Sequence, residues 1–438
     1  MNLLLDPIRK IYFRYLIPAL GSALVMSIYI MTDAIVIGKG VGADGLSALS
    51  IATPPIAVLM CFGLLFGVGG SVHWNVQTGL KNDKKASRFF TIALLSLTIV
   101  TLVLWACYSL FMPAIATFMG ANDTLLPYVM DYMNCMTIFL PACVFSNFVA
   151  VFVRTDGEPN LAMAGVLCGG ILNVILDIVF VYPCQMGMRG AALASSIGMC
   201  VQVLVISTHF LKKQNTLKLI RPHHTLQTLV QILSGGMSAA VNELANGLIV
   251  FLFNRQVLYY CGNDSLAVYS VISNCVIFFN AMFTGVGYAM QPITAMNYGA
   301  GKKERIRQVR RLAYTTVLIM GTLFTLTGLF FPTTVAKIFI TLTPETSAIA
   351  NKAIRIYFIA FLPMSVNVLT CYYLQSVLQS TRSFLISLSR NVILSTGMIL
   401  LLPLFFGGNV LWFLMILVEC LTLGLSLSFL LSKKDGTE

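Results

Sequence analysis

The side chains in this sequence best able to do chemistry are carboxylates and amides set inside apolar stretches. In GGILNVILDIVF, residues 169–180, Asn173 and Asp177 stand four apart, so on a helix they share one face, and the amide is placed to donate a hydrogen bond to the acid. Asp33 lies in YIMTDAIVIGKG, with Tyr29 one turn before it adding a hydroxyl and an aromatic wall to the same face. Glu243 lies in SGGMSAAVNELANG, flanked by Asn242 and Asn246. A carboxylate at the centre of a spanning helix costs roughly 2.5–3.5 kcal/mol, so it persists where it faces a cavity or a partner. Each acid also has a plainer role open to it. Asp33 could mark a membrane interface, Asp177 an interhelical hydrogen bond, and Glu243 a packing contact.

The surroundings of these residues set the class. Of 438 residues 58% are hydrophobic and 10% charged, with a mean hydropathy of +0.86, against about 25% charged in a soluble domain. Apolar runs long enough to cross a bilayer recur near 15–38, 47–72, 90–114, 126–150, 161–182 and 190–211. After a polar break they resume near 228–258, 265–290, 312–334, 353–378, 384–405 and 409–431. The expectation is an all-α integral membrane protein with twelve transmembrane helices. A β-barrel would show shorter segments of alternating polarity. The eleven cysteines form no C-x-x-C pair and read as small core residues.

Basic residues orient the chain. With the N-terminus cytoplasmic, one side of the membrane receives 22 of the 28, among them Lys81, Lys84, Lys85, Arg154, Lys302, Arg305, Arg390, Lys433 and Lys434. Both termini are therefore expected to be cytoplasmic. Topology then accounts for the net charge of +12, and no nucleic-acid partner is implied, since the charge is spread over short loops.

The chain repeats weakly at an offset of 220. GADGLSALSI at 42–51 aligns with GNDSLAVYSV at 262–271, Gly67 with Gly287 and Gly79 with Gly299, and both copies run on into a basic loop. Six helices per copy is an even number, which implies two six-helix bundles related by a pseudo-two-fold axis along the membrane normal. The expected lobes are 1–218 and 219–438. Pro18 precedes Asp33 by fifteen residues in the first span. It either kinks that helix as a hinge or marks its start.

In order along the chain, MTDAIVIGKGVGADGLSALSIATPP, VRTDGEPNLAM, ILNVILD, GMRGAALASS and NYGAGKKERIR resemble the multidrug and toxic compound extrusion (MATE) family over the whole length. The resemblance implies a cation-responsive cluster in the first lobe. It is made of an acid on the first helix, Asp33, an amide and acid on the fifth, Asn173 and Asp177, and a hydroxyl on the sixth, Ser195. It also implies a bend at Pro18 and a role for Tyr29. Some members hold a second cation site in the other lobe, using acids on the seventh and tenth helices. Here the tenth span contains no acid, so a complete site of that kind is not expected.

The resemblance implies a plasma-membrane antiporter, not an enzyme, that exports amphipathic organic cations by alternating access against H⁺ or Na⁺. No cofactor is expected and the chain is expected to be monomeric. Asp33, Asn173 and Asp177 would ligate the ion if it is Na⁺. Tyr29, Asn242, Glu243 and Asn246 are the candidate substrate contacts, and the 21 methionines suit a promiscuous cavity. A lipid or lipid-linked oligosaccharide flippase of related architecture is the alternative, although its cavity would be expected to carry Arg or Lys for phosphate.

Overall fold

A computed structural model describes residues 2–432; Lys433 and Lys434 of the basic tally lie outside the described residues. Outside its connections, the longest of which is 212–224, the described chain is helical, as apolar sequence in a bilayer requires, because a helix satisfies its backbone polar groups within the segment. The first half comprises α1 (Ile8–Gly40), α2 (Ala43–Gly79), α3 (Asp83–Phe118), α4 (Leu126–Ile138), α5 (Leu140–Thr155), α6 (Pro159–Val181) and α7 (Gly187–Ser207). The second comprises α8 (Thr225–Gly299), α9 (Lys303–Phe330), α10 (Pro332–Phe339), α11 (Pro344–Tyr357), α12 (Phe361–Ser376), α13 (Ser380–Leu388), α14 (Ser395–Phe406) and α15 (Leu411–Leu431).

Among the described residues ten helical stretches are long and apolar enough to span a membrane, and α4 with α5, bent by 58°, makes an eleventh. The twelfth comes from α8, whose 75 residues are two helices meeting at Gly262, where the backbone is non-helical at φ 79°, ψ −176°. The protein is thus a multi-pass membrane protein with the twelve crossings expected.

The repeat is written in the backbone more clearly than in the side chains. Gly42, between α1 and α2, has φ 94° and ψ −165°, a conformation reserved for glycine and repeated at Gly262, 220 positions on. Positive φ recurs at the same offset at Lys81 and Gly301, and at Gly187 and Gly407. Asn82 and Lys302, which precede α3 and α9, also share a conformation, at φ −105°, ψ 71° and φ −87°, ψ 70°.

Packing divides the chain into two compact units. Unit 1 holds Ile17–Leu244, and unit 2 holds Asn2–Leu16 together with Ala245 onward. This division differs from the one counted by helices at 218/219, because the first turns of α8 pack on α2. Gly236 has no room for a Cβ, which would fall 1.9 Å from the Leu65 carbonyl oxygen, and Ala239 joins Leu64, Val68, Val72 and Val151 in one core cluster. The start of α1 belongs to unit 2 for polar reasons. Asn297 and Arg305 donate to the Leu3 carbonyl at 3.2 and 2.9 Å, Arg305 to that of Asp6 at 2.8 Å, and Lys302 to that of Leu4 at 2.8 Å. Pro18 lies inside α1, not at its start, two residues past the point where α1 passes from unit 2 to unit 1.

Candidate functional site

The site is assembled within unit 1. Its base is α6, where Pro159, Ala162, Gly165, Val166, Gly169, Asn173, Asp177 and Val181 are the buried residues. Their three- and four-residue spacing puts the amide and the acid on the packed stripe of the helix. Helices in lipid gain no hydrophobic drive from meeting one another, so close contact depends on small residues. The α6–α7 contact is made in this way. A Cβ on Gly169 would lie 2.5 Å from the Gly198 carbonyl oxygen, and one on Gly198 would lie 2.8 Å from that of Gly169. This approach brings Asn173 Nδ2 within 3.1 Å of Ser195 Oγ, to which it donates.

The Asn173 amide donates to Ser195, and although Asn173 stays close enough to Asp177 to interact with it as expected, neither carboxylate oxygen of Asp177 is held at full hydrogen-bond geometry. Asp33 Oδ1 and Asn173 Oδ1 are also buried without one. Asp177 is fully buried and Asp33 is 8% exposed, and the two acids lie within electrostatic range of each other. Buried polar atoms are nearly always partnered, so four orphaned oxygens on three neighbouring residues make a place for an ion or for protons. A cation would meet two carboxylates and an amide oxygen, the donor set that a hard ion takes. Oxygens of these types are ones that Na⁺ takes, and the carboxylates can also take up H⁺.

Around this centre Tyr29 is half-buried and lies within electrostatic range of Asp33, Asp177, Cys143 and Glu243. Glu243 and Asn242 are half-buried on the part of α8 that belongs to unit 1, while Asn246 is exposed and falls in unit 2. Tyr132 on α4 was not anticipated. It is 4% exposed and lies within range of Asp33, Tyr29 and Asp177. In sequence it is one more aromatic of an apolar run, with no spacing that ties it to the acids.

Unit 2 holds a second buried polar cluster, also unanticipated. Arg390, counted among cytoplasmic basic residues, lies inside the span formed by α13 and α14, on a π-helical stretch, Ser389–Leu394, and is 8% exposed. Its Nε donates to Glu419 Oε1 of α15 at 2.8 Å. Glu419 stands alone among apolar residues in LMILVECLTL, the same signal that singled out Asp33 and Asp177. Among the described residues no three His, Cys, Asp or Glu side chains gather as a metal site would need, and none of the eleven cysteines is in a disulfide.

The MatE family profile matches the chain twice, at residues 18–179 and 239–400. The chain belongs to the MatE family. The two matched blocks coincide with the repeat, the first beginning at Pro18 and ending just past Asp177. The chain is 23% identical over 409 residues to the multidrug export protein MepA of Staphylococcus haemolyticus (strain JCSC1435), covering 93% of this chain and 90% of that protein. It is 25% identical over 329 residues to MepA of Staphylococcus aureus (strain NCTC 8325 / PS 47), covering 73% and 72%. Among solved structures, a MATE in complex with MaL6 superimposes with a TM-score of 0.90 at 19% identity, over 98% of this chain and 96% of that one. An outward-facing multidrug resistance MATE transporter of the MOP superfamily superimposes with a TM-score of 0.88 at 20% identity, over 98% and 96%. These likenesses establish the MATE fold for this member.

Proposed function

We propose that this MatE member is a secondary active multidrug exporter of the plasma membrane that exchanges H⁺ or Na⁺ for amphipathic organic cations by alternating access. The observation that carries the reading is the group of orphaned buried oxygens on Asp33, Asn173 and Asp177. Two acids sharing a low-dielectric site repel, and one charge at least is met by a proton or a cation. The matched relatives named as multidrug export proteins supply the cargo class.

In this reading the lobes 1–218 and 219–438 alternate in access, with both termini cytoplasmic. Asp33 and Asp177 hold the coupling ion, aided by the amide oxygen of Asn173, whose orientation Ser195 sets by accepting its N–H. Tyr29, Glu243 and Asn242 provide aromatic, anionic and amide surface for an organic cation, with Asn246 further along the same helix. Pro18 breaks the hydrogen-bond ladder of α1 between its anchored start and Asp33, so that neutralising the acid is able to bend the helix there. Coupling follows if ion and cargo prefer different conformations.

The test is efflux of a fluorescent organic cation from proteoliposomes, driven separately by an imposed pH gradient and an imposed Na⁺ gradient. Efflux is expected to follow one gradient and to vanish in Asp33→Asn. Absence of gradient-driven movement for a series of cationic dyes, with folded protein, would sink the proposal and bring the flippase forward.

A further inference from the structure

The two units treat their buried acids in opposite ways. In unit 1 neither carboxylate oxygen of Asp177 is held at full hydrogen-bond geometry. In unit 2 both oxygens of Glu419, which is fully buried, are taken: Oε1 by Arg390 Nε at 2.8 Å and Oε2 by Asn367 Nδ2 at 2.8 Å. The shell around them is closed as well. Asn367 also donates to the Glu419 carbonyl at 2.9 Å and accepts from Ser426 Oγ at 2.9 Å. Tyr357 of α11 lies within electrostatic range of both charges.

Arg390 reaches this position from an unusual backbone. It sits on the π-helical stretch between α13 and α14, and Ser395 Oγ donates to its carbonyl at 2.6 Å. Such insertions gather at functional sites. An ionised residue deep in a span is costly, and a pair of charges held there adds little stability over apolar packing. The pair therefore calls for a role other than stability.

We infer that Arg390 serves unit 2 as a covalently tethered substitute for a coupling cation, filling against Glu419 Oε1 the position an exchangeable ion would take, so that ion exchange resides in unit 1 alone. The inference rests on the reading of unit 1 as the exchanging site. A tethered guanidinium neutralises Glu419 permanently and with matched geometry. Unit 2 then behaves as an always-loaded body, and only the loading of unit 1 varies with the ion gradient.

The test uses the purified full-length chain in detergent, with unit 1 silenced by Asp33→Asn and Asp177→Asn. In that background the melting midpoint is expected to be indifferent to Na⁺, titrated against choline. Adding Arg390→Met leaves Glu419 Oε1 without its partner, and the midpoint is expected to rise by a few degrees with Na⁺ or on acidification. Adding Glu419→Gln as well should abolish that response. If the Arg390→Met chain folds and melts indifferently to both ions, Arg390 is only a strut and the inference is overturned.

A second measurement holds even if Arg390→Met does not fold. The Arg390→Met/Glu419→Gln pair carries no buried charge, and in the otherwise native chain its ion-to-substrate ratio, read from reversal potentials in proteoliposomes, should equal that of the native protein. A lower ratio would show that the pair itself exchanges ions, and would overturn the inference. Failure of the unit 1 reading looks different: the unit 1 double variant would then respond to ions as the native chain does.

Discussion

Replacing Gly169 with alanine tests whether the glycine contact between α6 and α7 builds the site. The added Cβ would lie 2.5 Å from the Gly198 carbonyl oxygen and 3.0 Å from Gln202 Cβ. The closer of these is backbone, so no side chain can swing aside. Restoring an ordinary separation of about 3.5 Å requires the helices to part by roughly 1 Å. The Asn173–Ser195 hydrogen bond, 3.1 Å long, would then stretch to about 4 Å, beyond hydrogen-bonding reach. Overpacking costs about 1–3 kcal/mol, and losing one interhelical hydrogen bond in a membrane adds about 0.6 kcal/mol. At roughly 2 °C per kcal/mol for a large domain, the melting midpoint in detergent should fall by about 3–7 °C. Gly38→Ala is the control, since a Cβ there meets nothing within 4 Å. Ion-driven efflux should fall with Gly169→Ala at temperatures where the protein remains folded, because the Asn173 amide is no longer held. If Gly169→Ala melts with Gly38→Ala and transports normally, the claim that this contact positions Asn173 is refuted.

Gly262→Ala isolates a backbone effect: its Cβ meets nothing within 4 Å, yet φ 79° with ψ −176° is open essentially to glycine alone, and a destabilisation of about 1–3 kcal/mol is expected in thermal unfolding. Arg305→Ala removes the guanidinium that donates to the carbonyls of Leu3 and Asp6 and to Asn297 Oδ1 at 3.0 Å. Hydrogen bonds to charged groups contribute about 1.5–3 kcal/mol, so amide exchange across residues 2–7 should accelerate about tenfold or more by mass spectrometry, with the remainder of unit 2 unchanged.

Much of the molecule was legible before any coordinates, because a bilayer turns composition into structure. Long apolar runs have one way to satisfy their backbone, and all twelve crossings follow from that. Even the two that share α8 were separable, since the Gly262 that breaks the helix aligns with the Gly42 that ends the first loop. Asp33, Asn173 and Asp177 stood out because polar groups in such runs are costly. Glu419 carried the same signal and was missed, since a lone acid does not announce its partner. Arg390, counted with the cytoplasmic charges although it falls inside the expected span 384–405, is buried because it pairs with Glu419, a partner that hydropathy does not reveal.

The sequence by itself determined the class, the crossings, the duplication and the acids, all properties of local polarity and period. Only the tertiary structure decided which groups meet: that the Asn173 amide donates to Ser195, that Asp33 lies within electrostatic range of Asp177, and that Glu419 is answered by Arg390. It also drew the packing boundary through α1 and α8. Those choices depend on how closely two helix backbones approach, which a pair such as Gly169 and Gly198 permits and which neither residue reveals alone.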